Sequence, residues 1–316
     1  MLILLGILAL ILGIVFYAFI IEPRRLKVKH YLIRKNKKRV LDISKADDLF
    51  SLESDVVIAH LSDLHFSRWF KPRRINKIIR STLTTKPDLI VFTGDLLEDY
   101  QHWPVKQTTK LIEKLSNLKA PLGKIAILGN HDYRSGGKYF VMEVLKEAGF
   151  TILTNESVFG SDEKVSLAIV GIDDASSGHP KYNYERTLAE WHLMLLHQPD
   201  YIDQVQNLEL YDLILSGHSH GGQILPPFYQ AKVTGAKRYI ENLYLPTKNT
   251  LLSVSTGIGT SSIPARFRVP PEIIYYHLSN KKEAFKTDFS EFKKTTSIVK
   301  TYSPEPKEQA IQIVKD

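Results

Sequence analysis

Seven side chains that can bind a divalent cation recur along this chain, each inside a compact motif. In order they are Asp63 and His65 in Asp-Leu-His, Asp95 in Gly-Asp, Asn130 in Gly-Asn-His-Asp, a single His197, and His218 and His220 in Gly-His-Ser-His. They supply one Asn, two Asp and four His as candidate ligands, and His131 is left over for acid–base work. Taken singly, each histidine reads as an ordinary polar residue, and Asn130 as a turn former. Taken together, the series is the inventory of a two-metal hydrolase. The chain has no cysteine, which excludes thiolate zinc sites, disulfides and cysteine nucleophiles. Any metal site must be built from nitrogen and oxygen donors, a set that suits Mn, Fe, Zn or Ni.

Elements that could position these residues alternate along the chain. Short apolar runs at 56–61, 89–93, 124–128, 151–153, 165–170, 191–196, 213–216 and 251–256 read as strands. Helical spacing appears over 74–83 (Ile75, Ile78, Ile79, Leu83), over 105–118 (Leu111, Ile112, Leu115, Leu118) and over 140–148. Asp63, Asp95, Asn130, His197 and the His218/His220 pair each follow the C-terminal end of an apolar run. Side chains at such ends point into a shared crevice. Gly94, Gly129 and Gly217 stand immediately before a ligand, where a left-handed turn is expected.

Residues 1–21 carry no charge and are almost wholly apolar, long enough to cross a bilayer as a helix. A cleaved signal peptide would show basic residues before the run and a small-residue site after it. Neither is present, so the segment reads as an uncleaved anchor. Residues 22–39 then hold nine Lys or Arg against Glu22, a local charge of +8 that equals the charge of the whole chain. The remainder is neutral, which removes the usual argument for nucleic-acid binding. The cluster reads instead as a basic juxtamembrane linker over 22–54, facing an anionic membrane surface at roughly 1 kcal/mol per base. Positive-inside asymmetry places it, and the catalytic domain behind it, on the cytoplasmic face of the cell membrane. The catalytic domain is expected over 55–280 and a polar, flexible tail over 281–316.

The ordered blocks resemble the calcineurin-like metallophosphoesterase superfamily. The stretches GNHDY, LLHQPD, SGHSHGGQI and STGIGTSSIPARFRVPPEI resemble its bacterial membrane-associated, YkuE-type branch, which includes relatives of UDP-2,3-diacylglucosamine hydrolases. The resemblance implies an α/β fold of the α+β four-layer kind, a β-sandwich flanked by helices, behind an N-terminal transmembrane helix. It implies two divalent metal ions per chain. Asp63, His65 and His220 would hold the first, Asn130, His197 and His218 the second, and Asp95 would bridge them. His131 matches the catalytic histidine, with Asp132 orienting it. Arg266, in Pro-Ala-Arg, is a candidate contact for substrate phosphate.

The expected reaction follows from the chemistry. A phosphate ester is anionic and resists neutral water. Two metals roughly 3.5–4 Å apart lower the pKa of a bridging water, and the resulting hydroxide attacks phosphorus. The preferred substrate is a lipid or nucleotide-linked lipid phosphoester or pyrophosphate. Alternatives are a soluble phosphoester, or a membrane-tethered scaffold without activity. Arg68-Trp69-Phe70-Lys71-Pro72-Arg73-Arg74 interleaves aromatic and basic residues; it reads first as a solvated loop with one buried aromatic, and alternatively as a guide for a lipid-linked substrate.

Overall fold

A computed structural model describes all residues except 36–38, 46–53, 162–164, 186, 281–298 and 301–316. Two seven-stranded sheets face each other. The first has the order β2 (Arg39–Asp42), β1 (Lys27–Arg34), β13 (Glu272–Ser279), β3 (Val56–Leu61), β4 (Leu89–Phe92), β5 (Lys124–Ala126), β6 (Thr151–Ile152), and the second β14 (Val299–Lys300), β11 (Asn242–Tyr244), β12 (Leu251–Val254), β10 (Leu213–Ser216), β9 (Trp191–Leu195), β8 (Ser166–Gly171), β7 (Glu156–Ser161). In the first, β3 (Val56–Leu61), β4 (Leu89–Phe92), β5 (Lys124–Ala126) and β6 (Thr151–Ile152) run parallel. In the second, β8 (Ser166–Gly171), β9 (Trp191–Leu195), β10 (Leu213–Ser216) and β12 (Leu251–Val254) do the same. Strands buried on both faces must be apolar throughout, which is why the sequence shows these as short unbroken runs.

Between the sheets lies one apolar core, with Ile58, Val91, Ile127 and Tyr276 from the first against Ile169, Leu193 and Leu215 from the second. The outer face of the first sheet is covered by α2 (Ile75–Thr84), α3 (Thr108–Ser116) and α5 (Lys138–Glu147), which bury Ile75, Ile78, Leu111, Leu115, Val141 and Leu145. The outer face of the second sheet is covered by 3-10 turns at Pro199–Gln204 and Leu208–Leu210 and by Tyr211 and Tyr239.

The basic segment is not a free linker. Residues Lys27–Arg34 form β1, which pairs in parallel with the central strand β13 (Glu272–Ser279) over eight residues. Residues Arg39–Asp42 form β2 beside it. Lys29 is buried and meets Glu272 at 2.6 Å, and Lys35 meets Asp212 at 3.0 Å. A run of bases hid a strand because alternate residues, Tyr31 and Ile33 among them, point into the core. The expected flexible tail over 281–316 lies outside the described residues apart from β14 (Val299–Lys300).

At the N-terminus, α1 (Leu2–Phe16) continues through a π-helical turn (Tyr17–Ile21) and a 3-10 turn (Glu22–Arg24). By length and composition this helix could cross a membrane. No residue of α1 is buried, whereas Ala18, Glu22 and Pro23 are. Only its last turns therefore dock on the folded domain.

Candidate metal centre

The parallel strands of both sheets end at one edge, and every ligand motif follows such an end. Asp63 follows β3, Asp95 follows β4 and Asn130 follows β5, while His197 follows β9 and His218 and His220 follow β10. Tight turns are needed to aim these side chains inward, and the strain falls on the ligands themselves. Asp63, His65, Asp95, His218 and His220 all adopt left-handed backbone angles, with φ from 45° to 69°. Such angles cost a non-glycine residue on the order of 1 kcal/mol or more, and they persist where the surroundings over-determine them.

The glycines serve a different purpose from the one expected. Gly94 does turn left-handed, with φ 97°. Gly129 does not, with φ −112°. A Cβ there would sit 2.3 Å from Asp95 Oδ1 and 2.6 Å from His197 Cε1. At Gly217 a Cβ would lie 2.0 Å from Ser62 Oγ and 2.3 Å from Asp63 Oδ2. These two positions are empty of side chain so that ligands from opposite sheets can meet.

Two donor groups result. In the first, His65 Nε2 is 2.9 Å from His220 Nε2, and Asp63 Oδ1 lies 3.9 and 3.6 Å from those two nitrogens. In the second, Asp95, His197 and His218 converge, each offering a ligand atom within 4.8 Å of the others. Asp95 belongs to both environments, because Oδ2 is 3.4 Å from His65 Nε2 and 3.3 Å from His197 Nε2. Its other oxygen, Oδ1, accepts the His131 backbone N–H at 2.8 Å. Donors about 2.1 Å from a common cation stand roughly 3.0–3.4 Å apart; the Asp95 spacings fall in that range and the Asp63 spacings are somewhat wider.

Hydrogen-bond partners fix which nitrogen each ring presents. A carbonyl oxygen can only accept, so the ring nitrogen facing it carries the proton. His197 Nδ1 donates to Thr93 O at 2.7 Å and His218 Nε2 to Thr234 O at 2.8 Å. That frees His197 Nε2 and His218 Nδ1 as lone-pair donors. His65 Nδ1 lies 2.7 Å from Glu98 Oε2, an ion-pair contact outside hydrogen-bond geometry, on the side of the ring away from His220. Among the described residues, His197 Nε2 and Asn130 Oδ1 are buried without any hydrogen-bond partner. Buried polar atoms are rarely left so, and a cation between them would satisfy both.

The electrostatics agree. Burial alone would raise Asp95, but the His197 and His131 imidazoles outweigh it and hold the carboxyl well below the usual range. Burial would depress His65 and His197, yet the surrounding carboxylates raise both to about 10. The carboxylates thus draw positive charge to the centre, as protons on these two rings or as a cation that would displace those protons. Burial keeps His218 and His220 low, on the neutral side that ligation requires.

His131 borders this cluster, with its ring edge-on to His65 at 4.7 Å. Its Nδ1 donates to Glu98 O at 2.8 Å, so Nε2 is the atom turned toward Ser261 Oγ (3.5 Å) and Arg134 Nη2 (3.4 Å).

Two residues are placed otherwise than expected, and the loop after His65 buries one of its two aromatics. Asp132 does not orient the His131 ring. Its carboxylate accepts the backbone N–H groups of Asp95 (2.8 Å), Leu96 (2.7 Å) and Gly129 (2.9 Å), fastening the β4 and β5 turns together. Arg266 is fully buried and cannot meet substrate. It donates to Gly259 O, Thr256 O and Val269 O, and its Nη2 packs 3.4 Å from His220 Nδ1. Phe70 packs in the core against Phe66, leaving Trp69 as the exposed aromatic of its loop.

Glu98 escaped the sequence reading. It sits three residues past Asp95 and touches His65, His131 and, through Oε1, the backbone N–H of Ser262 at 3.1 Å. An acid so close behind Gly94-Asp95 was its only trace in the sequence.

Comparison with known proteins places the geometry in context. Residues 56–222 match the family described as calcineurin-like phosphoesterase. The metallophosphoesterase YkuE of Bacillus subtilis (strain 168) is 32% identical over 84% of this chain and 89% of its own length. A metallophosphoesterase of Helicobacter pylori is 29% identical over 75% of this chain, which spans 63% of that relative. The UDP-2,3-diacylglucosamine pyrophosphatase LpxG of Chlamydia muridarum is 31% identical over 68% of this chain and 81% of its own length.

Proposed function

As this chain belongs to the calcineurin-like phosphoesterase family and is a metallophosphoesterase, we propose that it works with two divalent ions on a phosphoester or pyrophosphate at a membrane surface. The observation that carries the dinuclear reading is the placement of Asp95 Oδ2, almost equidistant from His65 Nε2 and His197 Nε2. Asp63, His65 and His220 would hold one ion, Asn130, His197 and His218 the other, and Asp95 both. Two such ions supply Lewis acidity toward phosphoryl oxygens and a water of lowered pKa.

The residues of the chain do the rest. Thr93 O and Thr234 O hold the His197 and His218 rings in the tautomer that leaves a lone pair inward, and Glu98 sits against the His65 ring. Asp132 keeps the two turns carrying Asp95 and Asn130 in register. His131, with one proton held at Nδ1 by Glu98 O, can donate from Nε2 only when doubly protonated, to a phosphoryl oxygen or to the leaving oxygen.

Two features support a lipid-linked substrate, the apolar helix docked beside the site and the likeness to LpxG, whose name gives a UDP-2,3-diacylglucosamine pyrophosphatase. The helix would be an anchor, with the domain on the cytoplasmic side. Comparing hydrolysis of a lipid-linked pyrophosphate, a soluble phosphodiester and a phosphomonoester by the purified Mn-loaded protein tests the substrate. Preference for a soluble ester would overturn the lipid assignment.

A further inference from the structure

The end of the apolar helix touches the same segment that backs the metal site. Arg266 N–H donates to Ala18 O at 2.9 Å, Arg268 N–H to Glu22 Oε2 at 2.7 Å, and the Tyr17 and Phe267 rings meet edge-on at 6.2 Å. From this docking point the chain leads to the site in few steps. Arg266 packs on His220, Ser261 reaches His131 and Ser262 reaches Glu98.

Large apolar side chains stand in solvent around the same segment. Ile263 is three residues from Arg266 and half exposed. Phe228 and Tyr229 follow Leu225, whose N–H donates to Phe267 O at 3.0 Å, and Phe228 is fully exposed. Trp69 is 57% exposed, and its carbonyl shares the Arg74 guanidinium with Pro23 O at the end of the helix. Arg68 stacks over the Trp69 ring at 5.0 Å. The Phe228–Tyr229 loop is itself tied to the site, by Gln230 Nε2 to Gly221 O and by Thr234 O to His218.

Exposed aromatics, one of them stacked by a base, beside an apolar helix whose first fifteen residues bury nothing, form the pattern that sits at a membrane interface. We propose that Trp69, Phe228, Tyr229 and Ile263 form a collar that seats in the lipid headgroup layer and holds the mouth of the metal site flush with the bilayer. The occupant is lipid, because the collar is continuous with the helix that would enter the membrane. The inference deepens the lipid-substrate reading and rests on it. A substrate phosphate would then be met at headgroup depth, without leaving the bilayer.

The test uses fluorescence of the full chain in proteoliposomes containing lipids brominated near the headgroup. The chain has three tryptophans, and Trp103 and Trp191 are buried while the apolar helix has none. Brominated lipid is expected to quench a component of the emission that disappears in Trp69→Phe. In that background Phe228→Trp should restore the quenched component. No quenching of Trp69 overturns the collar, as does quenching of Trp69 with none at Phe228→Trp. A Phe228→Asp, Ile263→Asp variant should lose about tenfold on a bilayer-embedded pyrophosphate and stay within about twofold on a soluble phosphodiester. Equal loss on both contradicts the collar. Quenching without any turnover of lipid-linked substrate would instead sink the substrate assignment and leave the collar standing.

Discussion

His65 Nδ1 lies 2.7 Å from Glu98 Oε2, an ion-pair contact between a candidate ligand on one turn and a carboxylate on the next. The same residue accepts from His131 through its backbone carbonyl. Carboxylate support behind a ligating imidazole commonly changes metal affinity by about 10–100-fold. Glu98→Gln should therefore weaken binding at the site holding His65 by roughly that factor. Metal titration followed by calorimetry reads the affinity without turnover. Unchanged affinity would show that Glu98 does not position the ligand.

Asp132 fastens two ligand turns rather than acting on the substrate. Asp132→Ala leaves the backbone N–H groups of Asp95, Leu96 and Gly129 without their acceptor. Each buried donor left unpaired costs about 1–3 kcal/mol. The variant should lose roughly 3 kcal/mol or more of stability in denaturant titration of the metal-free protein. A loss below about 1 kcal/mol would contradict the fastening role.

Acid should unfold the domain through buried histidines outside the candidate ligand set. Burial lowers His30, His60 and His277 from 6.5 to about 4, and the Asp42 carboxylate only partly offsets this at His30. The unfolded chain then binds protons at a higher pH than the folded one. Stability from these groups is complete above pH 6.5 and is lost as the pH falls toward 4. His30 Nδ1 and His277 Nε2 are 3.0 Å apart, so both cannot be charged together without repulsion. Thermal melts from pH 8 to pH 4 should show the fall, and a His30→Phe, His277→Phe double variant should flatten it. An unchanged slope in the double variant would contradict this account.

The site was legible because its signal is local. Each ligand motif sits directly after an apolar run, so strands and ligands announce one another, as Leu213–Ser216 does for His218. What depends on distant partners was hidden. Lys27 and Lys29 look like solvated bases until β13 pairs with them and Glu272 neutralises Lys29. Arg266 looks like a free cation until three backbone carbonyls surround it. Glu98 carries no motif, because a supporting carboxylate is defined only by which ring it faces. Gly129 and Gly217 were read as turn formers, whereas their role is the space that Asp95, His197 and Asp63 require.

We propose that Asp95 joins two metal sites into one. Metal content of the purified full chain, measured by mass spectrometry with and without Asp95→Asn, reads this without turnover. Two ions per chain are expected in the unaltered protein. About one or fewer is expected in Asp95→Asn, together with a loss of about 10³-fold on a chromogenic phosphodiester. A single ion in the unaltered protein, or two ions and undiminished hydrolysis in Asp95→Asn, would contradict it.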